Sequence, residues 1–160
     1  MTIEIRPATA SDARAIARVR IDTWRTAYRG IVPSAYLDAT DVEQSEALWQ
    51  RVLDAEAATA SVFVAERDGE IVGLLGLYRR PEGDLRVPGS NIDLAFAATR
   101  GEVRGSGAGL ALTAHGMRWA AEHGFRSMTV DWRSVNLLSS RFWTNRGFRP
   151  QYLRLYRAVP

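Results

Sequence analysis

Residues 103–109 read Val-Arg-Gly-Ser-Gly-Ala-Gly, and they lie between the apolar run 92–98 and the helix-like run 110–123. This order predicts a strand, a glycine-rich turn and the start of a helix. Such a turn leaves several backbone N–H groups directed at one point. Glycines let an anion approach the main chain closely, and the Arg104 guanidinium adds charge-assisted hydrogen bonds from one side. The stretch therefore predicts a turn that binds phosphate.

Two other phosphate-binding motifs fit these residues less well. A P-loop requires Gly-x-x-x-x-Gly-Lys-Ser/Thr, and the sequence contains no lysine. A dinucleotide-binding motif needs the loop early in a βαβ unit, with an acidic residue about 20 positions later. Asp131 lies near that distance, but the loop comes two-thirds of the way along the chain. For the glycines alone, a turn without a ligand stays open.

Length and composition predict how many domains the chain has and which environments suit it. The chain has 160 residues, of which 46% are apolar, which suffices for one core and predicts a single domain spanning residues 1–160. No apolar run approaches the roughly 18 residues of a membrane span, and the first residues lack the apolar segment of a signal peptide. These features predict a cytoplasmic protein that does not contact membranes. The chain has no cysteine, which excludes disulfides and an acyl-cysteine intermediate.

Charge and histidine spacing argue against two further classes. The formal net charge of +3 comes from arginines spread along the chain, without the basic block expected of a nucleic-acid reader. We therefore do not expect nucleic acid as a partner, and a basic nucleic-acid-binding domain is kept only as a third alternative. His115 and His123 lack the spacing of a metal pair, so no metal site is expected.

Periodicity and turn signals divide the chain into short elements. Thr9 and Asp12 have the N-cap and N3 spacing of a capping box that starts a first helix, which continues to Trp24. Asp68-Gly69 is typical of a hairpin turn. The remaining predicted elements are a strand at 3–7, a break at 26–37, a helix at 41–57, strands at 61–66 and 71–79, a loop at 81–89, strands at 91–98 and 128–132, a helix at 137–146 and a strand at 152–159.

The turn from Arg104 to Gly109, together with Asn136, the pair Phe142-Trp143 and Gly147-Phe148, resembles the GNAT superfamily of N-acetyltransferases. In that superfamily an Arg/Gln-x-x-Gly-x-Gly/Ala turn binds the pyrophosphate of acetyl-CoA. An Asn followed by an aromatic pair and Gly-Phe marks a second cofactor motif. The resemblance implies an α/β (α+β) fold, with a mixed central sheet of roughly six or seven strands that is splayed in the middle and flanked by about four helices.

The resemblance also implies an activity. Acetyl-CoA would be the co-substrate, and a primary amine of a small molecule or peptide would attack the thioester directly. The backbone of a splayed strand would pair with the pantetheine arm as an added strand does. Homodimers are common in the superfamily, and the last strands offer a face for one. The cofactor-binding residues implied are Phe96, Ala97, Ala98, Val103, Arg104, Gly105, Ser106, Gly107, Ala108, Gly109, Asn136, Ser139, Phe142 and Trp143.

Asp131 is the catalytic residue that the resemblance implies. In ribosomal-protein N-terminal acetyltransferases of the superfamily, a carboxylate on the fifth strand acts as base, and Asp131 occupies the matching place relative to Asn136. The alternative is a carboxylate at a strand end that pairs with an arginine, either Arg133 or Arg100. Two other carboxylates are alternative bases: Asp93 and Glu102.

Trp143 departs from the superfamily's pattern, in which the second aromatic of the pair is frequently a tyrosine that acts as general acid. An indole cannot give up a proton, and packing is the alternative role for this side chain. The leaving thiolate then takes its proton from water or from a hydroxyl of Tyr28, Tyr78 or Tyr152. If no group replaces the tyrosine, the chain is a CoA-binding module with lapsed catalysis, which is the alternative function.

The stretch 24–33 predicts the acceptor side of the site. Trp24 and Tyr28 are the candidate substrate-binding residues, although they also suit the packing of a helix end. Arg25 and Arg29 favour an acceptor that carries a carboxylate or phosphate. A polycationic acceptor stays open because acidic residues lie nearby in the sequence: Asp22, Asp38 and Asp41.

Overall fold

A computed structural model describes residues 2–55, 60–79, 91–133 and 135–151. In these ranges five strands form one sheet in the order β1-β2-β3-β4-β5. The strands are β1 (Glu4–Pro7), β2 (Ala60–Arg67), β3 (Glu70–Arg79), β4 (Asn91–Thr99) and β5 (Ser127–Val130). The helices are α1 (Ala13–Ala27), α2 (Ser34–Asp38), α3 (Val42–Asp54), α4 (Ala108–Glu122) and α5 (Leu137–Thr144).

The mixed α/β fold is the one predicted, with differences in detail. The predicted break at 26–37 contains the short helix α2, which sequence periodicity did not indicate. The predicted loop at 81–89, the end of the second predicted helix and the last strand at 152–159 lie outside the described residues. The predicted hairpin turn between β2 and β3 is confirmed, because Asp68 and Gly69 adopt φ values of 54° and 79°.

The sheet opens between β4 and β5. These two strands pair in parallel over only four residues, from Asn91 with Ser127 to Leu94 with Val130. Beyond that point β4 continues to Thr99, whereas β5 ends. The splay that the resemblance implies is therefore present. The predicted strand at 128–132 is shorter than expected, and Asp131 and Trp132 lie in the segment that follows β5.

Two apolar cores cover the two faces of the sheet. Successive residues of a strand point to opposite faces, so the buried neighbours Leu74 and Leu75 on β3 belong to different cores. Helices α1 and α3 pack against the face of Leu74. Helices α4 and α5 pack against the face of Leu75. The gap between β4 and β5 consequently connects the two helical layers.

The predicted capping box at the start of α1 is present. The Thr9 amide donates to the Asp12 carboxylate over 2.7 Å, and the Arg6 guanidinium pairs with the same carboxylate at 2.8 Å. The first turn, Ala10–Asp12, is a 3-10 turn that leads into the α-helix. These bonds fix where α1 begins and join it to the edge strand β1.

The charge on Asp12 should make stability depend on pH. The Arg6 guanidinium, aided by hydrogen bonds from Thr9, holds the pKa of Asp12 below its usual 3.8. A carboxyl whose pKa is lower in the folded chain stabilises it above the unfolded pKa, and this stabilisation is lost as the pH falls through the folded pKa. We expect Asp12→Asn to lower the free energy of unfolding by about 1–3 kcal/mol at pH 7. The difference between the two proteins should shrink below pH 3.8.

Urea denaturation of both proteins at pH 7 and at acidic pH measures this difference. Glu46→Gln is the control, because it breaks the exposed pair with Arg14 and should cost less than about 1 kcal/mol. A difference between Asp12→Asn and the natural protein that does not change with pH would contradict the assignment.

Gly116 sets how closely α4 packs on the sheet. A Cβ atom at this buried position would lie 2.5 Å from Cδ2 of Leu75. We expect Gly116→Ala to destabilise the fold by about 1–3 kcal/mol through overpacking. Gly101→Ala is the matched control, since a Cβ there meets nothing within 4 Å. Denaturant unfolding of both variants checks this, and an unchanged midpoint for Gly116→Ala would show that Leu75 moves aside at no cost.

Candidate functional site

The glycine-rich turn has the conformation of an anion-binding site. Gly105 and Gly107 adopt φ values of 86° and 91°, in the left-handed region that favours glycine. The first hydrogen bond of α4 runs from the Ala111 amide to the Gly107 carbonyl over 2.8 Å. The amides of the first turn of a helix have no intrahelical acceptor. In α4, which begins two residues earlier than predicted, they belong to Ala108, Gly109 and Leu110.

A cleft of about 600 Å³ begins at this turn and passes through the gap in the sheet. It reaches both helical layers, because Leu74 and Leu75 of the two opposite cores both line it. The last residue pair joining β4 to β5, Leu94 and Val130, also lies in its wall. Its volume falls in the range of sites for small molecules, roughly 300–1,000 Å³.

Most of the predicted cofactor-binding residues meet in this cleft. Those in its lining are Ala97, Ala98, Val103, Arg104, Gly105, Gly107, Ala108, Gly109, Asn136, Ser139, Phe142 and Trp143. Ser106 is exposed and lies apart from the lining, and its amide donates to the Val103 carbonyl over 3.1 Å. Phe96 pairs in register with Gly76 on β3.

Asn136 and Trp143 combine a place in the cleft with a structural role. The buried Asn136 side chain caps α5 by accepting a hydrogen bond from the Ser139 amide over 3.1 Å. Trp143 is buried and makes edge contacts with Phe142 and Phe148, with ring centroids 4.8 Å and 5.2 Å apart. The packing role considered for Trp143 from the sequence is therefore present.

Arg146 lines the cleft and was not among the predicted site residues. Its guanidinium lies 3.5 Å from the centre of the Phe142 ring, and its Nη1 donates to the Phe142 carbonyl over 2.7 Å. A Cβ on Gly109 would come within 3.3 Å of the same ring, so α4 and α5 approach closely here. The spacing of four residues between Phe142 and Arg146, one helical turn, is the sequence signal that could have indicated this contact.

One face of α1 forms the wall of the cleft in the other helical layer. The predicted residues Trp24 and Tyr28 lie there with ring centroids 5.0 Å apart. The Thr23 hydroxyl donates to the Thr99 carbonyl over 3.2 Å and joins α1 to the end of β4. Arg20, which sequence analysis missed, lies on the same face, four residues before Trp24. This helical spacing was the available signal.

The arginines expected on the acceptor side lie elsewhere. Arg25 donates to the carbonyls of Leu37 and Thr40 over 3.4 Å and 3.1 Å, so it holds α2 and the start of α3 against α1. Arg29 is exposed and lies apart from the cleft lining. Arg20 is the arginine that α1 brings to the cleft.

Asp131 is the carboxylate that the structure brings to the cleft among the described residues of its lining. It is exposed and directly follows β5. The alternative bases lie apart from the lining: Asp93 accepts a hydrogen bond from the Thr129 hydroxyl, and Glu102 lies 3.8 Å from Arg100. Arg100 also pairs with a second carboxylate, that of Glu70, at 3.4 Å.

The three tyrosines considered as proton donors also differ in whether they line the cleft. The Tyr28 side chain lines the cleft. Tyr78 lies on β3 outside the lining, where burial raises the pKa of its hydroxyl. Tyr152 lies outside the described residues. Tyr28 is therefore the candidate that lines the same cleft as Asp131.

In the described ranges no group of three or more His, Cys, Asp or Glu side chains could hold a metal ion. Among the described helices, none is long and apolar enough to cross a lipid bilayer.

Comparisons with known proteins agree with this fold and cleft. The sequence profile of the Acetyltransferase (GNAT) family matches residues 21–148. An uncharacterized N-acetyltransferase of Bacillus subtilis, YuaI, is 31% identical over 131 residues, which cover 80% of this chain and 70% of that protein. The chain therefore belongs to the GNAT family of acetyltransferases.

Solved structures show the same fold at low sequence identity. PaiA N-acetyltransferase from Thermoplasma acidophilum, in complex with coenzyme A, has a TM-score of 0.76 at 18% identity, with 93% of this chain and 91% of that chain covered. Aminoglycoside N-acetyltransferase AAC(6')-Iy, in complex with CoA, has a TM-score of 0.78 at 18% identity, with 99% and 95% covered. The predicted family, enzyme class and fold are confirmed.

Gly107 offers a test of the turn as the pyrophosphate site. We expect Gly107→Glu to weaken acetyl-CoA binding by at least about a hundredfold, because a carboxylate would stand beside the amides that receive an anion. Any side chain is strained at this φ of 91°, so Gly107→Ala is the matched control that adds strain without charge. Calorimetric titration with acetyl-CoA, together with a thermal melt, measures both effects. Equal affinity of a folded Gly107→Glu protein would contradict the assignment.

Proposed function

We propose that this protein transfers the acetyl group of acetyl-CoA to a primary amine of a small molecule or peptide, by direct attack of the amine on the thioester. The observation that carries the proposal is the cleft that passes through the sheet where β4 and β5 diverge. It joins an anion-binding turn in one helical layer to an aromatic wall in the other. This arrangement suits two substrates that must meet at one point.

The part of the cleft next to α4 suits acetyl-CoA. The turn offers backbone amides and the Arg104 guanidinium to a pyrophosphate, and no carboxylate of the described turn residues opposes it. The exposed side chains of Leu110 and Leu138, 54% and 66% accessible, extend the cleft with apolar surface. The exposed backbone of β4 at Ala97 and Ala98 suits an arm that adds to the sheet edge.

The reaction needs little from the protein beyond positioning and proton transfer. The amine nitrogen forms a bond to the acetyl carbonyl carbon, the bond from that carbon to sulfur breaks, and the thiolate leaves. The nitrogen gives up a proton, and the thiolate takes one. Acetyl-CoA supplies an activated acyl group, so no covalent intermediate with the protein is required.

Asp131 and Tyr28 are the side chains we assign to these two proton transfers. Asp131 is a carboxylate at the cleft, directly after β5, and we expect it to take the proton of the amine. Tyr28 carries a hydroxyl on the opposite, α1 wall and is our candidate donor to the thiolate. A thiol has a pKa of about 8.5, so the thiolate is already a good leaving group and a missing acid costs less than for an alkoxide.

Trp143 favours a second candidate function, a CoA-binding module with lapsed catalysis. Its indole stands where many relatives have a tyrosine, and it is buried among aromatic side chains. Turnover distinguishes the two functions, because both proteins would bind acetyl-CoA and only the enzyme would release its thiol. An assay of thiol release from acetyl-CoA with amines, amino acids, peptides and aminoglycosides detects turnover, whereas calorimetry detects binding alone. Tight binding of acetyl-CoA without release of thiol on any acceptor would favour the module.

Asp131→Asn should lower kcat/KM mainly at pH values below the pKa of the acceptor amine, because a protonated amine must lose a proton before its nitrogen can attack. We expect a loss of about tenfold to a thousandfold there and little change at high pH. Glu102→Gln is the control, since it removes an exposed carboxylate outside the cleft. Rates from pH 6 to 10, with acetyl-CoA affinity measured in parallel, give the profile. A profile of Asp131→Asn that matches the natural protein would assign Asp131 a structural role.

A further inference from the structure

The α1 wall of the cleft carries a positive charge that the family assignment does not explain. Arg20 lies on the cleft-lining face of α1, one turn before Trp24 and two turns before Tyr28. Its guanidinium carbon lies 4.8 Å from the centre of the Trp24 ring, close enough for a cation–π interaction that fixes its position. Tyr36 of α2 also lies near Trp24, with the two ring centroids 6.4 Å apart.

Arg20 is held in a partly buried environment. Burial lowers the pKa of its guanidinium, an effect that Tyr36 partly offsets, but an arginine stays charged at neutral pH. A charge removed from bulk water interacts more strongly with a ligand than one on an open surface. A ligand that enters the cleft from the side of α1 therefore meets the Arg20 guanidinium in partly buried surroundings.

Within the described part of the chain, the three acidic residues that the sequence suggested for binding a polycation lie away from this wall. Asp22 and Asp38 are exposed and outside the lining, and Asp41 caps α3 by accepting from the Glu43 amide over 3.0 Å. Among the described residues of the lining, Asp131 is the carboxylate, and it lies in the segment after β5 rather than on α1.

Building on the proposed function, we infer that the acceptor is an amine that also carries an acidic group, a carboxylate or a phosphate, which Arg20 binds while the amine lies toward Asp131. The planar fork of a guanidinium matches both acids and can donate two parallel hydrogen bonds. The Trp24 and Tyr28 rings offer faces for the carbon skeleton between the two groups. A polyamine or an aminoglycoside would instead bring like charge to Arg20, which is unfavourable in a partly buried site.

Pairs of acceptors that differ only in the acidic group measure what that group contributes to the rate. Amino acids, among them phenylalanine and alanine, are compared with their carboxamides and with the corresponding amines that lack the carboxyl group, by thiol release from acetyl-CoA. Phosphoethanolamine against ethanolamine distinguishes a phosphate from a carboxylate. Spermidine and neamine represent polycations. A carboxamide lowers the pKa of the neighbouring amine and so favours attack chemically, which means that a preference for the acid reports binding.

We expect the natural protein to favour the acid over its neutral partner by at least about tenfold in kcat/KM, as hydrogen bonds to a charged group allow. Arg20→Gln should remove this preference, so that kcat/KM for the acid falls to that of its neutral partner. Arg20→Lys should keep part of it, because the charge remains and the fork is lost. Arg18→Gln is the matched control, since Arg18 is exposed on α1 outside the cleft lining, and it should keep the full preference.

Thermal melts and acetyl-CoA affinity separate a lost contact from a lost fold. Both should be nearly unchanged in Arg20→Gln, because the turn that receives acetyl-CoA lies in the other helical layer. A natural protein that favours spermidine, neamine or the neutral amines, or a folded Arg20→Gln protein that keeps the preference for acids, overturns the inference and leaves the proposed function standing. Failure of the natural protein to acetylate any acceptor overturns the proposed function, and this inference with it.

Discussion

The parallel pairing between β4 and β5 is the constraint on which the rest of this structure depends. Four residue pairs hold the strands together, and after Leu94 and Val130 they separate. A longer ladder would close the sheet and divide the two helical layers. A shorter one would leave β5 without the pairing that fixes it. The short ladder keeps one continuous sheet and still leaves an opening through it, with exposed backbone along the end of β4.

Close packing and a hydrogen bond hold the elements around the opening. Gly116 brings α4 onto β3, and Gly109 brings α4 close to the Phe142 ring on α5. On the other face, a hydrogen bond from Thr23 to the end of β4 holds α1 in place. The turn before α4 can therefore keep its amides directed outward, because the helix behind it is anchored independently. The charged side chains Arg104, Asp131 and Arg20 line the opening that this frame surrounds.

Local patterns carried the sequence predictions that the structure confirms. The capping box at Thr9, the Asp68-Gly69 hairpin and the glycine-rich turn each depend on a few neighbouring residues, and each has the expected conformation. Arg20 and Arg25 show the limit of prediction from local sequence patterns. They lie five positions apart on one helix, and only the placement of α1 against the sheet and α2 decides that Arg20 reaches the cleft while Arg25 binds carbonyls. The end of β5 before Asp131 depends on the partner strand in the same way.

An opening that connects both faces of a sheet also bears on the order of events in a reaction between two ligands. A pocket closed at one end makes the ligand that enters last leave first. Here the turn of α4 and the wall of α1 belong to different layers, so in the proposed reaction the two substrates would approach from different sides. We expect such a reaction to allow either order of substrate binding, and to allow the thiol product to depart while the acylated product is still bound. The rate at which each product leaves can then depend on a different part of the cleft, the turn of α4 for the thiol and the wall of α1 for the acylated product.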